Sequence, residues 1–361
     1  MNKLKVAIVG CGSVAQKRHI PGFLRLKKTV ELTALCDLNP RLVEAASKNV
    51  GIRNAYSNLS EMLLKEELDI VDICTPPSAH LSIALKAIEH GCNVLLEKPM
   101  ALNVSDCDKM IDSSEKYGVK LSVVHNQRFY QPFMKAQELV SSGAVGKITG
   151  MRILSLTNKN EYMVHENHWV HNLPGGVISE TGPHIVYMSL AFMNAVKAVE
   201  VSARKTLKYP WVLYDDYRIE LEGDSLNTSI YVSHAGDYTS CLIDLFGEEG
   251  AITINLESML LTRSKLNELN PTSVALSSLS TAGQIVKGVA SNFSRVAFHK
   301  PMLGHDIMIE RFVNSIINDQ PVPVTPEEGR ETARIMGMIV ANSSETGYPF
   351  CPEKYVSSTK D

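Results

Sequence analysis

The sequence has little that would tie it to a membrane, a nucleic acid or a metal. No apolar stretch approaches the roughly 20 residues that a membrane-spanning helix needs. The formal net charge of the 361-residue chain is only -3, so no attraction to DNA, RNA or an anionic membrane is expected. Seven cysteines occur without any C-x-x-C spacing, which argues against a zinc or redox site and for a reducing compartment. We therefore expect a cytoplasmic protein.

Two local patterns weakly resemble other signals: an apolar run near the N-terminus resembles a signal peptide, and two short basic runs resemble a charged binding patch. The first fifteen residues contain two lysines and then the apolar run 6–9, but this run is short and is broken by Gly10 and Gly12. No signal peptide is predicted for that reason. The basic runs 16–19 and 25–28 are interpreted as solvated helix faces.

The length of the chain predicts two domains. In residues 1–125, short β-rich runs alternate with helical patterns, which predicts a parallel sheet with right-handed crossovers, an α/β Rossmann domain. In residues 126–361, a series of strands separated by tight turns predicts an antiparallel meander in an α+β domain that ends in return helices. Residues 264–300 show no clear period and are predicted to be an irregular insertion.

The motif G-x-G-x-x-A occupies residues 10–15, directly after a predicted strand and at the start of a predicted helix. Gly10 permits a tight turn, Gly12 lets the backbone approach a pyrophosphate, and Ala15 allows close packing of helix and strand. Ser13 and Val14 open the helix, whose free N–H groups favour an anion. This context predicts a dinucleotide site.

Asp37 ends the second predicted strand, at the distance from the glycines where an acid binds the adenosine ribose. A carboxylate there accepts hydrogen bonds from ribose hydroxyls and repels a 2′-phosphate, which favours NAD over NADP. A second interpretation is that Asp37 only caps the turn before Asn39. Because Arg41 is near, use of NADP stays open.

Two further motifs carry candidate catalytic residues. Glu97-Lys98-Pro99 follows a predicted strand, and the carboxyl ends of parallel strands line the ligand crevice. Downstream, the sequence G-G-V-I-S-E-T-G-P-H covers residues 175–184. Glu180 precedes His184 by four residues, a spacing that puts both on one helix face. Taken alone, each could be structural: a surface lysine, a helix-start acid and a core histidine.

At this point the chain resembles the glucose–fructose oxidoreductase / inositol dehydrogenase (Gfo/Idh/MocA) family. The resemblance rests on the glycine motif, on T-P-P-x-x-H at residues 75–80, on E-K-P at 97–99, on the 175–184 motif and on the return helices. It implies a Rossmann domain and a second domain with an open, mostly antiparallel sheet. It also implies a homodimer or homotetramer that assembles through this sheet.

The resemblance further implies an NAD-dependent oxidoreductase that transfers hydride between nicotinamide and a secondary hydroxyl of a sugar, cyclitol or nucleotide sugar. His184 would take the hydroxyl proton, and Lys98 would stabilise charge on the same oxygen. Several residues would contact the cofactor by analogy: Thr75, Pro76, His80, Glu97 and Asn126.

The chain departs from the family pattern at three positions. Glu180 stands where the family has Asp, Val170 where it often has Arg, and Tyr187 where it often has Asp. These changes point to an altered substrate pocket. They also keep two alternatives open, a non-catalytic NAD-binding sensor and an NAD-recycling hydrolase or lyase.

A histidine-rich loop covers residues 165–171. Its spacing lacks the i, i+4 pair of zinc hydrolases, so no metal is predicted there. We expect the loop to wall the substrate pocket, with Trp169 stacking on a sugar ring and His168 donating to its hydroxyls. His305 is a weaker pocket candidate.

Overall fold

The computed structural model describes residues 3–265, 268–298 and 303–344. By its contacts the chain divides into two compact units. The first unit contains the residues up to Phe129 together with Leu303–Arg334. The second unit contains the described residues from 130 to 298 and those from Ile335 onward. Sequence patterns placed all of 126–361 in one domain, whereas segment 303–334 groups with the first unit.

The first unit contains a six-stranded parallel sheet in the order β3-β2-β1-β4-β5-β6, which is the Rossmann order. The apolar run of β1 is buried at the centre of this sheet. The strands are β1 (Leu4–Val9), β2 (Val30–Cys36), β3 (Asn54–Tyr56), β4 (Ile70–Ile73), β5 (Asn93–Leu96) and β6 (Leu121–Val123). The parallel sheet predicted for residues 1–125 is confirmed, with the short strand β3 at its edge.

Helices follow these strands in the predicted alternation. After a π-helical turn at Ala15–His19 come α1 (Ile20–Arg25), α2 (Pro40–Val50), α3 (Leu59–Lys65), α4 (His80–Glu89) and α5 (Val104–Tyr117). Asparagine side chains accept hydrogen bonds from backbone N–H groups at the starts of α2, α3 and α5. Gly51 and Gly118 end α2 and α5 with positive φ, as left-handed C-caps require.

The second unit is built on a seven-stranded sheet in the order β13-β12-β11-β7-β10-β9-β8. Its strands are β7 (Ile148–Leu156), β8 (Val196–Arg204), β9 (Asp216–Gly223), β10 (Asn227–Ser233), β11 (Ser240–Gly247), β12 (Gly250–Asn255) and β13 (Leu260–Ser264). Every pairing is antiparallel except that of β7 with β10. The prediction of a mostly antiparallel sheet is confirmed, but the strands do not form one continuous meander, because β7, the first strand of the unit, inserts between β10 and β11.

The remaining helices are α6 (Gln131–Ser141), α7 (Lys159–Tyr162), α8 (Ile178–Leu190), α9 (Pro271–Ala297), α10 (Gly304–Ile317) and α11 (Pro326–Ser344). Helix α11 begins with a capping box, since Thr325 N donates to Glu328 Oε2 and Glu328 N donates to Thr325 Oγ1. The predicted irregular insertion is wrong for residues 271–297, which form the 27-residue α9; residues 299 and 300 lie outside the described part.

Asn270 caps α9 and Pro271 occupies its first turn, which is a start signal readable from the sequence. Serine and glycine residues scattered along the segment obscure its helical repeat of apolar residues.

Within the part of the chain that the structure describes, no helix combines the length and the apolarity that crossing a membrane requires.

Candidate functional site

The glycine turn after β1 has one glycine fixed by packing and one facing open space. Gly10 has φ +94°, and a Cβ built on it would lie 2.7 Å from the backbone of Cys74. A Cβ on Gly12 would meet no atom within 4 Å. Gly10 is therefore required by the fold, whereas the bare backbone at Gly12 leaves room for a ligand to approach.

The Asp37 carboxylate accepts hydrogen bonds from the glycine turn after β1 and from the turn that precedes α2. Its Oδ2 accepts from Cys11 N at 2.8 Å and its Oδ1 accepts from Asn39 N at 2.8 Å. Asp37 thus caps the turn before Asn39, as the second interpretation of this residue predicts. Each oxygen keeps a second lone pair, so the same carboxylate can accept from a ligand hydroxyl.

A cavity of about 560 Å³ lies at the carboxyl ends of the strands of the first unit. Gly10, Gly12 and Asp37 line it, as do Thr75 and Pro76, which follow β4. The buried Thr75 Oγ1 has no hydrogen-bond partner among the described residues. A bare glycine backbone, a carboxylate and an unsatisfied hydroxyl around one cavity fit the phosphates and ribose of a dinucleotide.

His80 ties together the two loops that border this region. It is fully buried, and its Nε2 lies 2.9 Å from the Thr75 carbonyl oxygen. Its Nδ1 lies 3.0 Å from the carbonyl oxygen of Pro99, whose peptide bond with Lys98 is cis. Burial lowers the pKa of His80. Both ring nitrogens contact backbone carbonyls, so His80 braces the loops.

Glu97 lies in a buried polar network that the sequence did not predict. Its Oε1 is 2.9 Å from His19 Nε2 and 3.6 Å from His305 Nε2. His19 Nδ1 lies 2.8 Å from Asp72 Oδ2, on β4. His19 is fully buried, so its interpretation as part of a solvated basic face is wrong. Only folding brings together residues 19, 72, 97 and 305, and no local pattern signals that they meet.

The network holds opposite charges at its centre. Burial lowers the pKa of His19, but the charge of Asp72 and the hydrogen bond with it outweigh burial and hold that pKa well above its usual range. Burial raises the pKa of Glu97, but the hydrogen bonds with His19 and His305 outweigh burial and hold that pKa well below its usual range. A protonated His19 therefore lies between two carboxylates.

Lys98 is the next residue after Glu97 in the chain and is hydrogen-bonded to this network. Its backbone N–H donates to Glu97 Oε2 at 3.0 Å, and its side chain is partly buried. Asn126 begins a 3-10 turn after β6 and is 6% exposed. The anchored carboxylate of Glu97 thus fixes the backbone from which the Lys98 side chain extends.

In the second unit, α8 carries both Glu180 and His184. The helix begins at Ile178 and runs through Pro183, so the spacing of four places the two residues on one face. His184 Nδ1 lies 2.6 Å from the hydroxyl oxygen of the buried Tyr187. Tyr187, at the position where an acid is usual in the resembling family, therefore still contacts the histidine.

The histidine-rich loop lies near the start of α8. Burial and then the charge of Glu180 raise the pKa of Tyr162, which also packs edge-on against His168. The His168 ring stacks on Trp169, which is 39% exposed. Sequence reasoning missed Tyr162, because no motif marks it.

The loop histidines bond to the backbone of their own segment. His165 Nε2 contacts the Asn160 carbonyl oxygen and His171 Nε2 contacts that of Tyr162. Among the described residues, two groups could hold a metal by proximity, and neither includes a loop histidine. Both groups contain His19, in one with Asp72 and Cys74 and in the other with Glu97 and His305, and its ring nitrogens are at hydrogen-bonding distance from the two carboxylates.

Comparisons with known proteins agree with this architecture. Residues 4–125 match the model of the Gfo/Idh/MocA oxidoreductase family with an NAD-binding Rossmann fold, and residues 133–253 match the C-terminal domain of that family. The family match confirms the predicted Rossmann domain with its NAD-binding character.

Three of the individual proteins that are similar to this chain share only 22–30% sequence identity with it. Oxidoreductase P35 of Formosa agariphila is 25% identical over 73% of this chain and 83% of its own length. D-glucoside 3-dehydrogenase of Escherichia coli is 30% identical over 54% of this chain and 56% of its own length. The WlbA dehydrogenase of Bordetella pertussis, solved with NADH and UDP-GlcNAcA, shares the fold with a TM-score of 0.80. It is 22% identical, covering 97% of this chain and 99% of that one.

The two matched segments cover more than half of the chain, and the parallel sheet of the first unit has the Rossmann order. The chain therefore belongs to the Gfo/Idh/MocA family of oxidoreductases.

Proposed function

We propose that this protein is an NAD-dependent dehydrogenase that oxidises a secondary hydroxyl of a sugar, cyclitol or nucleotide sugar. The observation that carries the proposal is the contact between His184 Nδ1 and the Tyr187 hydroxyl. A histidine that accepts a proton at one ring nitrogen is oriented through the other. The family membership and the cavity lined by Gly12 and Asp37 support the same reaction class.

The residues around the cavity would hold the cofactor. The open backbone at Gly12 and the helix start at Ser13, Val14 and Ala15 would receive the pyrophosphate, while Asp37 would accept from the ribose hydroxyls. The charge of Asp37 opposes a 2′-phosphate, so NAD is favoured over NADP. When bound, NAD supplies the hydride acceptor.

The protein residues would manage the proton and the charge on the substrate oxygen. For His184 to accept a proton at Nε2, its ring hydrogen must be on Nδ1, which then donates to the Tyr187 oxygen. Lys98 would donate a hydrogen bond to the substrate oxygen and stabilise its developing charge. Glu180 would orient His184 or bind a substrate hydroxyl, as its place on the same helix face allows.

Features of the second unit and the names of similar proteins support this substrate class. Trp169 offers a partly exposed aromatic face of the kind that stacks on a sugar ring, and His168 packs beside it. Two of the similar proteins are named for a glucoside or were solved with a nucleotide sugar. We therefore place sugars and nucleotide sugars first among the candidates.

The proposal is tested by mixing the purified chain with NAD or NADP and a panel of sugars, cyclitols and nucleotide sugars. The readout is the near-ultraviolet absorbance of the reduced cofactor, which should rise with at least one substrate and more strongly with NAD. In the active pair, Lys98→Met should abolish turnover while NADH binding persists. Lys116→Met, at an exposed position on α5 in the same unit, is the control and should leave turnover unchanged.

Other outcomes identify the alternatives. NAD binding without turnover on any substrate would favour a sensor of the same fold. Bond cleavage without net NADH formation would favour a hydrolase or lyase that recycles its cofactor. Turnover that survives Lys98→Met would contradict the assigned mechanism.

A further inference from the structure

The helix α9 is amphipathic, but its polar side faces the protein and its apolar side is exposed. Its partly buried positions, among them Ser277, Gln284 and Asn292, are all polar apart from Gly288. Gln284 exchanges hydrogen bonds with the backbone of Arg263 on β13, and Asn292 donates to the Ser258 carbonyl oxygen. The side that faces the sheet is therefore polar, whereas surface helices normally turn their apolar side inward.

The opposite side of α9 is apolar and exposed. We define its outer stripe as Leu276, Leu279, Gly283, Val286, Ala290 and Phe293, all of which are exposed. Leu279 and Phe293 are 69% and 75% exposed, although they are large and apolar. A continuous apolar patch of this kind marks an interaction surface.

The spacing of the outer stripe fits helix–helix packing. Its residues follow one another at intervals of three and four, as in the a and d positions of a heptad repeat. The positions just before each a residue, 275, 282, 289 and 296, hold alanine or valine. An apolar face built from a, d and g positions is typical of a helix packed in a bundle.

We propose that α9 pairs antiparallel with α9 of a second copy of this chain. A two-fold axis at Val286 would set Leu279 opposite Phe293 of the second copy, Leu276 opposite its Val296 and Gly283 opposite its Val289. Large residues then meet large ones near the ends, and glycine leaves space for valine near the centre. The stripe is thus self-complementary, as an isologous contact requires.

Charge and area support the same partner. Lys287 and Arg295 are the only charged residues of α9, and both line the groove against β13. The outer stripe itself holds no charged residue, so pairing with its own copy buries no charge within the stripe. With the flanking residues Val289 and Val296, which are 54% and 60% exposed, it offers an area on the order of the 800 Å² per partner of a standard interface.

This contact differs from the one that the family resemblance implies. The outward side chains of the sheet include Arg152, paired with Asp244, and Arg204, paired with Asp216. The same face also carries Leu154, Leu242 and Phe246, so it is mixed in character. The outer stripe of α9 is a separate apolar surface that association would remove from water.

The test is sedimentation velocity of the full chain over a concentration series. A dimer is expected, and the double variant Leu279→Glu/Phe293→Glu should raise its dissociation constant by at least about tenfold. Leu64→Glu, at a 79% exposed leucine on α3, is the matched control and should leave the dimer intact. Circular dichroism checks that each variant is folded.

A cross-link tests the geometry without disturbing the fold. In a Cys351→Ser background, Val286→Cys should form an intermolecular disulfide on oxidation, because the residue meets its own copy at the axis. Ser291→Cys, exposed on the groove side of the same helix, should not. A wild-type monomer at all concentrations, which would leave a lipid surface or another protein as the occupant, overturns the proposal. A dimer insensitive to the glutamate variants with no Val286→Cys cross-link overturns it too.

Discussion

Glu97 Oε1 and His19 Nε2 lie 2.9 Å apart, with both side chains almost completely removed from water. The contact links β5 to the helical segment that follows the glycine turn, and Asp72 holds the other ring nitrogen of the histidine. Since Lys98 N donates to the same carboxylate, the pair also sets the backbone of the candidate catalytic lysine.

The pair predicts a specific pH dependence of stability. The pKa of His19 is raised from 6.5, so its contribution is complete below that value and is lost as the pH rises through the folded-state pKa. The pKa of Glu97 is lowered from 4.5, so its contribution is complete above that value and is lost as the pH falls through the folded-state pKa. The two groups together stabilise the protein most between these ordinary values.

We therefore expect His19→Gln to lower the free energy of unfolding by about 3–5 kcal/mol at about pH 5.5, because it leaves buried carboxylates without their cation. The difference from wild type should shrink as the pH rises through the raised folded-state pKa of His19. Urea unfolding over a pH series that starts at about pH 5.5 and rises measures it. His90→Gln, an exposed histidine at the end of α4, is the control. A difference that stays constant with pH would show that His19 is not protonated in the fold.

Substitution of the two glycines of the turn should separate folding from cofactor binding. Gly12→Ala places a methyl group in open space, so stability should change by less than about 0.5 kcal/mol. NADH affinity, measured by fluorescence titration, should fall at least about tenfold, because the methyl group stands where a pyrophosphate approaches. Gly10→Ala should instead lower stability by about 1–3 kcal/mol, since φ is positive and backbone atoms lie within 3 Å. Undiminished NADH binding by Gly12→Ala would remove the turn from the cofactor site.

Asp37 offers a test of cofactor choice against turn capping. Asp37→Asn removes the charge, so the ratio of kcat/KM for NADP to that for NAD should rise about tenfold. Stability should fall by about 1 kcal/mol, because the amide cannot accept from both Cys11 N and Asn39 N. Asn39→Ala removes the cap of α2 nearby and should lower stability without changing the ratio. If the two variants behave alike, Asp37 is only a cap.

Tyr187→Phe tests the orientation of His184. The variant keeps the buried ring and removes the hydroxyl that contacts Nδ1, so kcat should fall about tenfold, while KM changes by less than about twofold. Tyr214→Phe is a matched control in the same unit, because the buried Tyr214 hydroxyl has no hydrogen-bond partner among the described residues. Its kinetics should match wild type. Equal kcat values for the two variants would mean that Tyr187 does not position the base.

The sequence by itself determined the features that depend on neighbours along the chain. The glycine turn, the alternation of strands and helices up to β6, and the Thr325–Glu328 capping box are local, since each is specified within a few residues. The pairing of Glu180 with His184 on one face of α8 likewise follows from helix geometry once the helix forms.

Only the tertiary structure decided which distant segments meet. The insertion of β7 between β10 and β11, the grouping of residues 303–334 with the first unit and the burial of His19 between Asp72 and Glu97 depend on contacts across long stretches of chain. The same is true of α9, whose amphipathic pattern does not say which side will face the sheet. Hydrophobic burial is non-directional, so a pattern fixes which residues prefer to leave water but not the surface that will cover them.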